Sequence, residues 1–295
     1  MKILITGANG QVGWELVRQA ESRDIDFCAF TRTELDITKI DAVEQAVANC
    51  KPDIVINAAA YTAVNKAEEQ PELAVVVNRD GVANLAKACK VAAIPMIHIS
   101  TDYVFDGTKE GVYTEEDVPN PLGVYGKSKQ AGEEALREIL PHHIILRTSW
   151  VFSSHGNNFV KTILRLARER EELRVVADQY GCPTSAQTIA EAILHVAPQL
   201  MASMQKSGTY HFCQPGLTTW HGFAEAIINT ANKFTSLTVK KIKPITTDEF
   251  PTRAKRPANS ILYTEKFIQT FEYSIPAWND SLLHVIKECV SNIRS

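Results

Sequence analysis

The sequence predicts an α/β fold in which a doubly wound parallel sheet carries helices on both faces. In the first half, apolar runs alternate with helical patterns, as expected for successive strand–helix units. Two of the runs, 53–57 and 95–100, are almost continuously apolar, which is typical of parallel strands buried on both faces. We predict strands at 2–6, 26–30, 53–57, 95–100 and 143–148, and helices at 11–22, 39–49, 70–92 and 125–140.

The first predicted strand ends in a glycine-rich turn. Gly7, Gly10 and Gly13 follow the apolar run and precede a helical pattern. Gly7 would allow the sharp turn, Gly10 the close approach of phosphates, and Gly13 the close packing of helix on strand. Because a helix N-terminus attracts anions, this turn predicts a dinucleotide site in a Rossmann-type sheet. The flanking strand and helix favour this interpretation over an ordinary glycine turn.

The second half has a looser pattern and predicts a smaller C-terminal α/β substrate-binding lobe. We expect helices at 156–171, 185–197, 219–233 and 278–292, strands near 174–177 and 208–213, and short strands and loops over 234–263. We assign residues 1–152, with interleaved 172–205, to the Rossmann domain. Residues 153–171 and 206–295 are assigned to the lobe.

Composition excludes several classes of function. The 295 residues are 45% hydrophobic and carry a formal net charge of −3. The chain therefore lacks the strong positive charge with which proteins attract nucleic acids or membrane surfaces. No apolar run approaches the roughly 20 residues that span a bilayer, and the N-terminus lacks signal-peptide features. The six cysteines form no Cys-x-x-Cys pair, so we expect free thiols in a reducing cytoplasm.

A tyrosine and a lysine four residues apart predict reductase chemistry. Tyr125 and Lys129 share one face of the predicted helix at 125–140. A ketone that receives a hydride needs a proton, which Tyr125 can give if the lysine cation lowers its pKa from about 10. Thr101 directly follows the predicted strand at 95–100, and its hydroxyl at this strand end could polarise the substrate carbonyl. The spacing of tyrosine and lysine is common alone, but the ordered set is far more specific.

The segment after the second strand predicts the choice of cofactor. An acidic residue at this strand tip would bind the free ribose of NAD, whereas an arginine can pair with the 2′-phosphate of NADP. The tip carries Arg32 and no acid, and Asp36 comes later, where it would touch the adenine region. We therefore expect NADPH or NADH, with NADPH favoured.

The combined segments resemble the extended short-chain dehydrogenase/reductases and, within them, the family of dTDP-4-dehydrorhamnose reductases. The similarity covers nearly the whole chain. It lies in Thr6-Gly-Ala-Asn-Gly-Gln-Val-Gly13, Asn57-Ala-Ala-Ala-Tyr-Thr-Ala-Val64, Lys66-Ala-Glu68, Ser100-Thr-Asp-Tyr-Val-Phe105, Pro121-Leu-Gly-Val-Tyr-Gly-Lys-Ser-Lys129, Arg147-Thr-Ser-Trp-Val-Phe152, Gly156-Asn-Asn-Phe159, Asp178-Gln-Tyr-Gly-Cys-Pro-Thr184 and Arg256-Pro-Ala-Asn-Ser260.

The resemblance implies three groups of site residues. The catalytic set is Thr101, Tyr125 and Lys129. The cofactor-binding set comprises Gly7, Gly10, Gln11, Val12, Gly13, Arg32, Asp36, Ile37, Ala59, Ala60, Tyr61, Thr62, Tyr125 and Lys129. The substrate-binding set comprises Thr101, Asp102, Trp150, Asn158, Arg253 and Arg256.

Three of the substrate assignments have simpler alternatives. Trp150 equally suits a core aromatic residue at a strand end. Asn158 suits the cap of the following helix. The basic cluster 253–257 fits two phosphates, yet its composition alone also fits a solvated loop.

Some members of the family are dimers linked by Mg²⁺ through carboxylates. The resemblance therefore implies a possible homodimer and a possible Mg²⁺ site at Glu15 and Glu288. Gln187 stands where a third acid would be expected, which weakens the case for the metal.

The implied function is NAD(P)H-dependent reduction of the 4-keto group of dTDP-4-dehydro-β-L-rhamnose to dTDP-β-L-rhamnose. Two alternatives remain open at this point. One is another nucleotide-sugar epimerase, dehydratase or reductase of the same superfamily. The other is a non-catalytic NADP-binding regulatory subunit that kept the fold.

Overall fold

The structure, a computed structural model, describes the backbone of residues 1–294 and the side chains of residues 1–291. Parallel pairs of strands dominate this part of the chain. Its strands are β1 (Lys2–Thr6), β2 (Asp26–Phe30), β3 (Ile54–Asn57), β4 (Met96–Thr101), β5 (His143–Thr148), β6 (Val151–Phe152), β7 (Glu172–Val176), β8 (Tyr180–Gly181), β9 (Thr184–Ser185), β10 (Gly208–His211), β11 (Thr218–Thr219) and β12 (Lys241–Ile245).

The predicted helices all form, with bounds that differ from the predicted ones by up to five residues, whereas the short helices at Val64–Ala67 and Glu265–Phe271 were not predicted. The predicted helix at 70–92 contains a π-helical turn at Val76–Asp80. The α-helices are α1 (Gln11–Ser22), α2 (Ile40–Cys50), α3 (Val64–Ala67), α4 (Pro71–Val75), α5 (Gly81–Ala92), α6 (Val124–Ile139), α7 (Phe159–Glu169), α8 (Ala186–Ala202), α9 (Trp220–Ala231), α10 (Glu265–Phe271) and α11 (Trp278–Arg294).

Six parallel strands form the main sheet in the order β10-β5-β4-β3-β1-β2. From β1 the chain first moves outward to β2, then crosses back and moves outward in the other direction through β3, β4, β5 and β10. This reversal makes the sheet doubly wound, so the predicted fold class is confirmed. Ligands of such sheets bind at the carboxyl ends of the strands, where the direction of winding reverses.

Helices cover both faces of the sheet because alternate strand residues point to opposite sides. On one face Ile3, Ile5 and Ile56 pack against Leu16 of α1 and Ile193 of α8. On the other face Leu4, Val55 and Ile145 pack against α2, α5 and α6. The carboxyl edge of the sheet stays free of these helices and carries the polar strand ends.

A second hydrophobic core lies in the lobe, between α7, α9 and α11 and the small parallel sheet of β7 and β12. Two elements cross the predicted domain boundaries. β7 lies in the segment assigned to the first domain, yet its Leu173 and Val175 pack in the core of the lobe. β10 lies in the segment assigned to the lobe, yet it pairs with β5 in the main sheet. Strands from each predicted domain therefore take part in the other domain, which the predicted division does not include.

The expectation that every cysteine is a free thiol is wrong. Cys28 of β2 and Cys50 at the end of α2 form a disulfide, with 6.3 Å between their Cα atoms. The packing of α2 on the sheet brings these two residues together, which their spacing in the sequence does not reveal. Cys89, Cys182, Cys213 and Cys289 are free and buried. No helix in the described part of the chain is long and apolar enough to cross a bilayer.

Candidate active site

The glycine-rich turn has the geometry that the sequence predicts. Gly7 has a φ of +71°, a left-handed conformation that side chains rarely adopt, and a Cβ there would lie 2.7 Å from the backbone of Ala58. A Cβ on Gly13 would lie 2.1 Å from the carbonyl oxygen of Gly7, so α1 packs directly on the turn. Helix α1 begins at Gln11, which leaves its first N–H groups facing the loop.

A cavity of about 330 Å³ adjoins this turn and lies at the reversal between β1 and β3. Nine of the predicted cofactor-binding residues line it: Gly7, Gly10, Arg32, Asp36, Ile37, Ala59, Ala60, Tyr61 and Thr62. Gly7 and Gly10 leave space where side chains would fill the cavity, and Arg32 also lines it. The cavity therefore fits the adenosine half of a dinucleotide.

Arg32 brings a positive charge to this cavity and Asp36 a negative one. The Asp36 carboxylate accepts bonds from the backbone and hydroxyl of Thr38, at 3.0 and 2.8 Å. Partial burial raises the pKa of Asp36, but those two bonds and the nearby Arg32 charge outweigh it and hold the pKa below its usual value. The guanidinium of Arg32 is thus the cation available to a 2′-phosphate.

A buried asparagine holds the loop that carries Ala60, Tyr61 and Thr62. Asn78 accepts from the Tyr61 backbone N–H at 2.8 Å and donates to the Tyr61 carbonyl at 3.1 Å. Its amide also donates to the Ser128 hydroxyl of α6 at 2.9 Å. The cofactor loop and the helix that bears Tyr125 and Lys129 are therefore tied to one side chain.

Helix α6, which carries Tyr125 and Lys129, packs unusually close to the end of β4. A Cβ on Gly126 would lie only 2.1 Å from the carbonyl oxygen of Tyr103. A glycine at this position therefore lets α6 contact the turn that follows Thr101. The rings of Tyr103 and Tyr125 meet edge to face at 5.6 Å.

Thr101, Asp102 and Tyr125 form one polar group at this contact. The Thr101 hydroxyl donates to the Asp102 carboxylate at 2.9 Å and accepts from the Tyr103 backbone N–H. Burial raises the pKa of Asp102 to about 6, while the nearby Ser260 and Thr101 hydroxyls lower it, and Oδ2 of Asp102 makes no hydrogen bond of good geometry with the described residues. Burial likewise raises the pKa of Tyr125, although the adjacent Thr101 hydroxyl lowers it.

Lys129 is directed into the protein rather than toward Tyr125. Its side chain is 1% exposed, and Nζ lies 2.7 Å from the carbonyl oxygen of Ile99 and 3.1 Å from Nε2 of His98. Burial lowers the pKa of Lys129 to about 8, while the nearby Glu133 carboxylate raises it. No lysine contributes to the shift of the Tyr125 pKa, so the expected lowering by Lys129 is not seen in the structure.

A larger cavity, of about 540 Å³, lies in the lobe. Phe159 and Trp220 form an aromatic wall, with ring centroids 4.6 Å apart. Arg256 also lines this cavity, and its Nε is buried with no hydrogen-bond partner in the described residues. An aromatic wall beside an arginine suits a flat ring joined to an anionic group.

Trp150 supports this aromatic wall from behind. Its ring stacks on Trp220 at 3.6 Å and lies where a Cβ on Gly181 would clash, 2.5 Å away. Its own φ is +47°, an uncommon conformation for a bulky residue. Trp150 is thus a partly buried packing residue at a strained strand end, and it does not line the larger cavity.

Two more predicted substrate residues have protein partners. Asn158 caps α7 by accepting from the Lys161 N–H at 3.1 Å, and its amide donates to Gln11 at 2.9 Å. Arg253 is exposed and pairs with Glu69. Val12, predicted as a cofactor-binding residue, belongs to α1 and is buried in the core.

The two carboxylates predicted as metal ligands have other partners. Glu15 accepts from Arg18 at 2.7 Å, and Glu288 accepts from Ser154 at 2.6 Å. Within the residues that the structure describes, no group of three or more His, Cys, Asp or Glu side chains could hold a metal ion. Burial and the nearby Glu288 charge raise the pKa of Glu15, so the two carboxylates lie close together, but a pair without a third ligand in this part of the chain is not a built Mg²⁺ site.

The sequence reasoning missed several polar and aromatic residues of the site. His98 and Asn57 lie fully buried in strands, and Glu133 forms a buried ion pair with Arg147 at 2.7 Å. A polar residue inside an otherwise apolar strand was the available signal for His98 and Asn57. Nothing local marked Trp220, because its role depends on how the lobe folds over β6 and β8.

The whole chain matches a known protein family. Residues 1–291 match the family model described as RmlD substrate binding domain. A dTDP-4-dehydrorhamnose reductase from Sinorhizobium fredii is 42% identical over 288 residues, which covers 97% of each chain.

Solved structures agree with this match. A dTDP-4-dehydrorhamnose reductase from Clostridium acetobutylicum superposes with a TM-score of 0.91 at 40% identity, covering 97% of this chain and 99% of that one. The enzyme of the same name from Bacillus anthracis, solved in complex with NADP, gives a TM-score of 0.90 at 38% identity, with the same coverage. The chain therefore belongs to the dTDP-4-dehydrorhamnose reductase family.

Proposed function

We propose that this protein reduces the 4-keto group of dTDP-4-dehydro-β-L-rhamnose to give dTDP-β-L-rhamnose, with NADPH favoured over NADH. One observation carries the proposal: Thr101 and Tyr125 meet at the carboxyl edge of the sheet, with Lys129 one helical turn from Tyr125. The glycine-lined cavity and the aromatic cavity supply separate places for a dinucleotide and a nucleotide sugar.

Tyr125 is the proposed proton donor. Burial keeps its phenol protonated at neutral pH, which suits a group that must give a proton to an alkoxide. The Thr101 hydroxyl would hold the keto oxygen beside it. In the structure that hydroxyl donates to Asp102, so substrate binding would redirect its proton from the carboxylate to the keto oxygen.

The aromatic cavity is the proposed site of the dTDP group. Phe159 and Trp220 would contact the thymine ring, and the Arg256 guanidinium, which lines the cavity, would bind a phosphate. The contacts of Trp150 with Trp220 give it a positioning role for that wall. Arg253 would reach the diphosphate only after releasing Glu69.

The glycine turn is the proposed pyrophosphate site. The N–H groups at the start of α1 would bind the phosphates, and Arg32 would bind the 2′-phosphate of NADPH. Asp36, Ile37 and the loop 59–62 would line the adenosine and ribose. When bound, the reduced nicotinamide supplies the hydride.

The decisive experiment follows the loss of NADPH absorbance on addition of dTDP-4-dehydro-L-rhamnose. Wild-type protein should oxidise one NADPH for each sugar reduced. Tyr125→Phe should lose about 10²- to 10⁴-fold in kcat while binding NADPH normally, because only the proton donor is removed. A variant that keeps most of its turnover would reject Tyr125 as the donor. Stable NADPH in the presence of wild-type protein and substrate would reject the reductase itself.

The same assay separates the alternatives. An epimerase or dehydratase would convert the sugar with no net loss of NADPH, and a regulatory subunit would bind NADPH without turnover. Asp102 is followed by Tyr103, without the second acid that a dehydratase needs, which favours the reductase. We also propose that the protein acts in the cytoplasm and forms a homodimer, and sedimentation at several concentrations would test the dimer.

A further inference from the structure

Three polar side chains form a row across the centre of the sheet. Thr6 of β1 is in register with Asn57 of β3, and Asn57 is in register with His98 of β4. All three are almost completely buried, with exposed fractions of 1%, 0% and 0%. Register partners in parallel strands point to the same face, so the row runs from the glycine turn toward α6. At its far end lies Lys129.

The orientation of the Asn57 amide is fixed by a backbone group. Its Oδ1 accepts from the Ala59 N–H at 3.0 Å and from the Thr6 hydroxyl at 2.7 Å. A backbone N–H can only donate, so the atom facing Ala59 must be the oxygen. The Asn57 Nδ2 group therefore faces His98, and it lies 3.0 Å from Nδ1 of that ring.

This contact fixes the tautomer of His98. An amide NH₂ can only donate, so Nδ1 of His98 must be the acceptor. A neutral imidazole then carries its proton on Nε2. Burial lowers the pKa of His98 well below its usual value, which keeps the ring neutral. The Nε2–H group therefore points at Nζ of Lys129, 3.1 Å away.

A protonated lysine has three donors and no acceptor, so it cannot accept from Nε2–H. A neutral amine can accept from His98 while it donates to the Ile99 carbonyl at 2.7 Å. We propose that His98 is a positioning residue that holds Lys129 as a neutral amine in the cofactor-free enzyme. The amine becomes an ammonium, by taking one proton from solvent, when it turns to the cofactor. This inference rests on the role proposed above for Lys129.

The charges around Lys129 are compatible with this state. On its own helix Tyr125 lies one turn earlier and Glu133 one turn later. Glu133 favours the ammonium, but its carboxylate is already bound by Arg147 and Arg137, at 2.7 and 2.8 Å. On the sheet side the contact is His98, which is itself influenced by His143. Burial then decides the direction, and it lowers the pKa of Lys129 to about 8.

The test measures protons taken up when NADPH binds, by calorimetry at pH 9 in two buffers of different ionisation enthalpy. With a pKa of about 8 in the free enzyme, about 0.9 proton should be taken up per NADPH in the wild type. The Kd for NADPH should rise about tenfold between pH 7 and pH 9 for the same reason.

His98→Leu removes the N–H that opposes the charge, so the pKa of Lys129 should rise by about one unit or more. Proton uptake at pH 9 should fall to about half or less, and the Kd should rise only about twofold between pH 7 and pH 9. His98→Gln can place an amide N–H near the position of Nε2 and should restore most of the wild-type uptake. His195→Gln changes a histidine of α8 whose ring bonds the Phe271 carbonyl, away from His98 and Lys129, and should behave as wild type.

Lys129→Met separates this inference from the proposed function. It should abolish the proton uptake, which assigns the proton to Lys129, and it should lower kcat/KM strongly. Equal uptake in wild type and His98→Leu, with Lys129→Met inactive, would overturn the role of His98 alone. Wild-type activity of Lys129→Met, or failure of NADPH to bind the wild type, would overturn the proposed function as well.

Discussion

The side-chain amide of Asn158 donates to Oε1 of Gln11 at 2.9 Å, and this bond joins the residue that caps α7 to the first residue of α1. Two further contacts reinforce the link. The ring of His155 stacks on Trp14 at 4.9 Å and donates from Nε2 to the Asn9 carbonyl at 3.1 Å. The loop 153–158 of the lobe therefore contacts the glycine turn directly, so the occupancy of one site can affect the other.

The Gln11–Asn158 bond should couple the two binding sites. We expect bound NADPH to raise the affinity for dTDP in the wild type, and Gln11→Ala to reduce that enhancement about fivefold, which corresponds to about 1 kcal/mol. Asn158→Asp keeps the oxygen that caps α7 but loses the donor to Gln11 and to the Ser153 carbonyl, so it should have the same effect on coupling together with a lower free energy of unfolding. Titrations of dTDP with and without NADPH measure this. The exposed neighbour gives the control, Asn157→Ala, and equal coupling in all variants would contradict the prediction.

Arg32 should determine the preference for NADPH. Arg32→Ala removes the cation from the rim of the cofactor cavity, and a charge-assisted bond to phosphate contributes about 1.5–3 kcal/mol. We expect kcat/KM for NADPH to fall about 10- to 100-fold while the value for NADH changes little. Steady-state kinetics with both cofactors measure the ratio, with Arg23→Ala on the far end of α1 as the control. Equal losses for both cofactors would show that Arg32 does not bind the 2′-phosphate.

Asp102 should destabilise the fold at neutral pH. Its pKa is raised to about 6 in the folded state against 3.8 in the unfolded chain, mainly by burial. The unfolded chain therefore ionises first as pH rises from about 4 to about 6, and the fold loses up to about 3 kcal/mol that is not regained above pH 6. Asp102→Asn should raise the free energy of unfolding at pH 7, have little effect near pH 4, and lower kcat.

Asp106 serves as the control for that measurement, because its pKa is shifted in the opposite direction. Its pKa is lowered to about 2 by bonds from Thr108, so its carboxylate stabilises the fold above pH 4 and this gain disappears as the pH falls through 2. Asp106→Asn should therefore lower stability at pH 7, whereas Asp102→Asn raises it. Urea denaturation across pH measures both, and a stability gain of Asp102→Asn that is independent of pH would exclude titration as its cause.

Gly126→Ala should damage both stability and catalysis. The new Cβ would lie 2.1 Å from the Tyr103 carbonyl oxygen, so α6 would have to move away from the end of β4. Overpacking of this kind costs about 1–3 kcal/mol, against which the better helix propensity of alanine returns up to about 1 kcal/mol. We expect a lower Tm and at least a tenfold lower kcat with near-normal NADPH affinity. Gly111→Ala, which meets no atom within 4 Å, should leave kcat unchanged.

The local features of this protein were predictable from sequence. The strands β1, β2 and β5 have the predicted bounds, because each is a short run rich in apolar residues between turn signals, a pattern that depends only on local sequence. Tyr125 and Lys129 lie on one helix, α6, because their spacing depends only on helical geometry. The conformation of the glycine turn was also predictable, since three glycines between a strand and a helix are compatible with few other local structures.

Features that depend on register and on distant packing were not predictable. The row of Thr6, Asn57 and His98 exists because three strands align, and no sequence spacing encodes that alignment. The pairing of Cys28 with Cys50 depends on how α2 packs on the sheet. The position of Lys129 likewise follows from a histidine on another strand, so its contact with Tyr125 was an expectation from the motif alone.

The edge position of β10 has a consequence for synthesis of the chain. The first 152 residues include five strands of the main sheet, but β10 pairs with β5, and α8 covers Ile3, Ile5 and Ile54. Phe267 and Phe271 of α10 join the same core. A ribosome must therefore release about nine-tenths of the polypeptide before this core can close. The nascent N-terminal segment has to remain soluble with one apolar face uncovered until then.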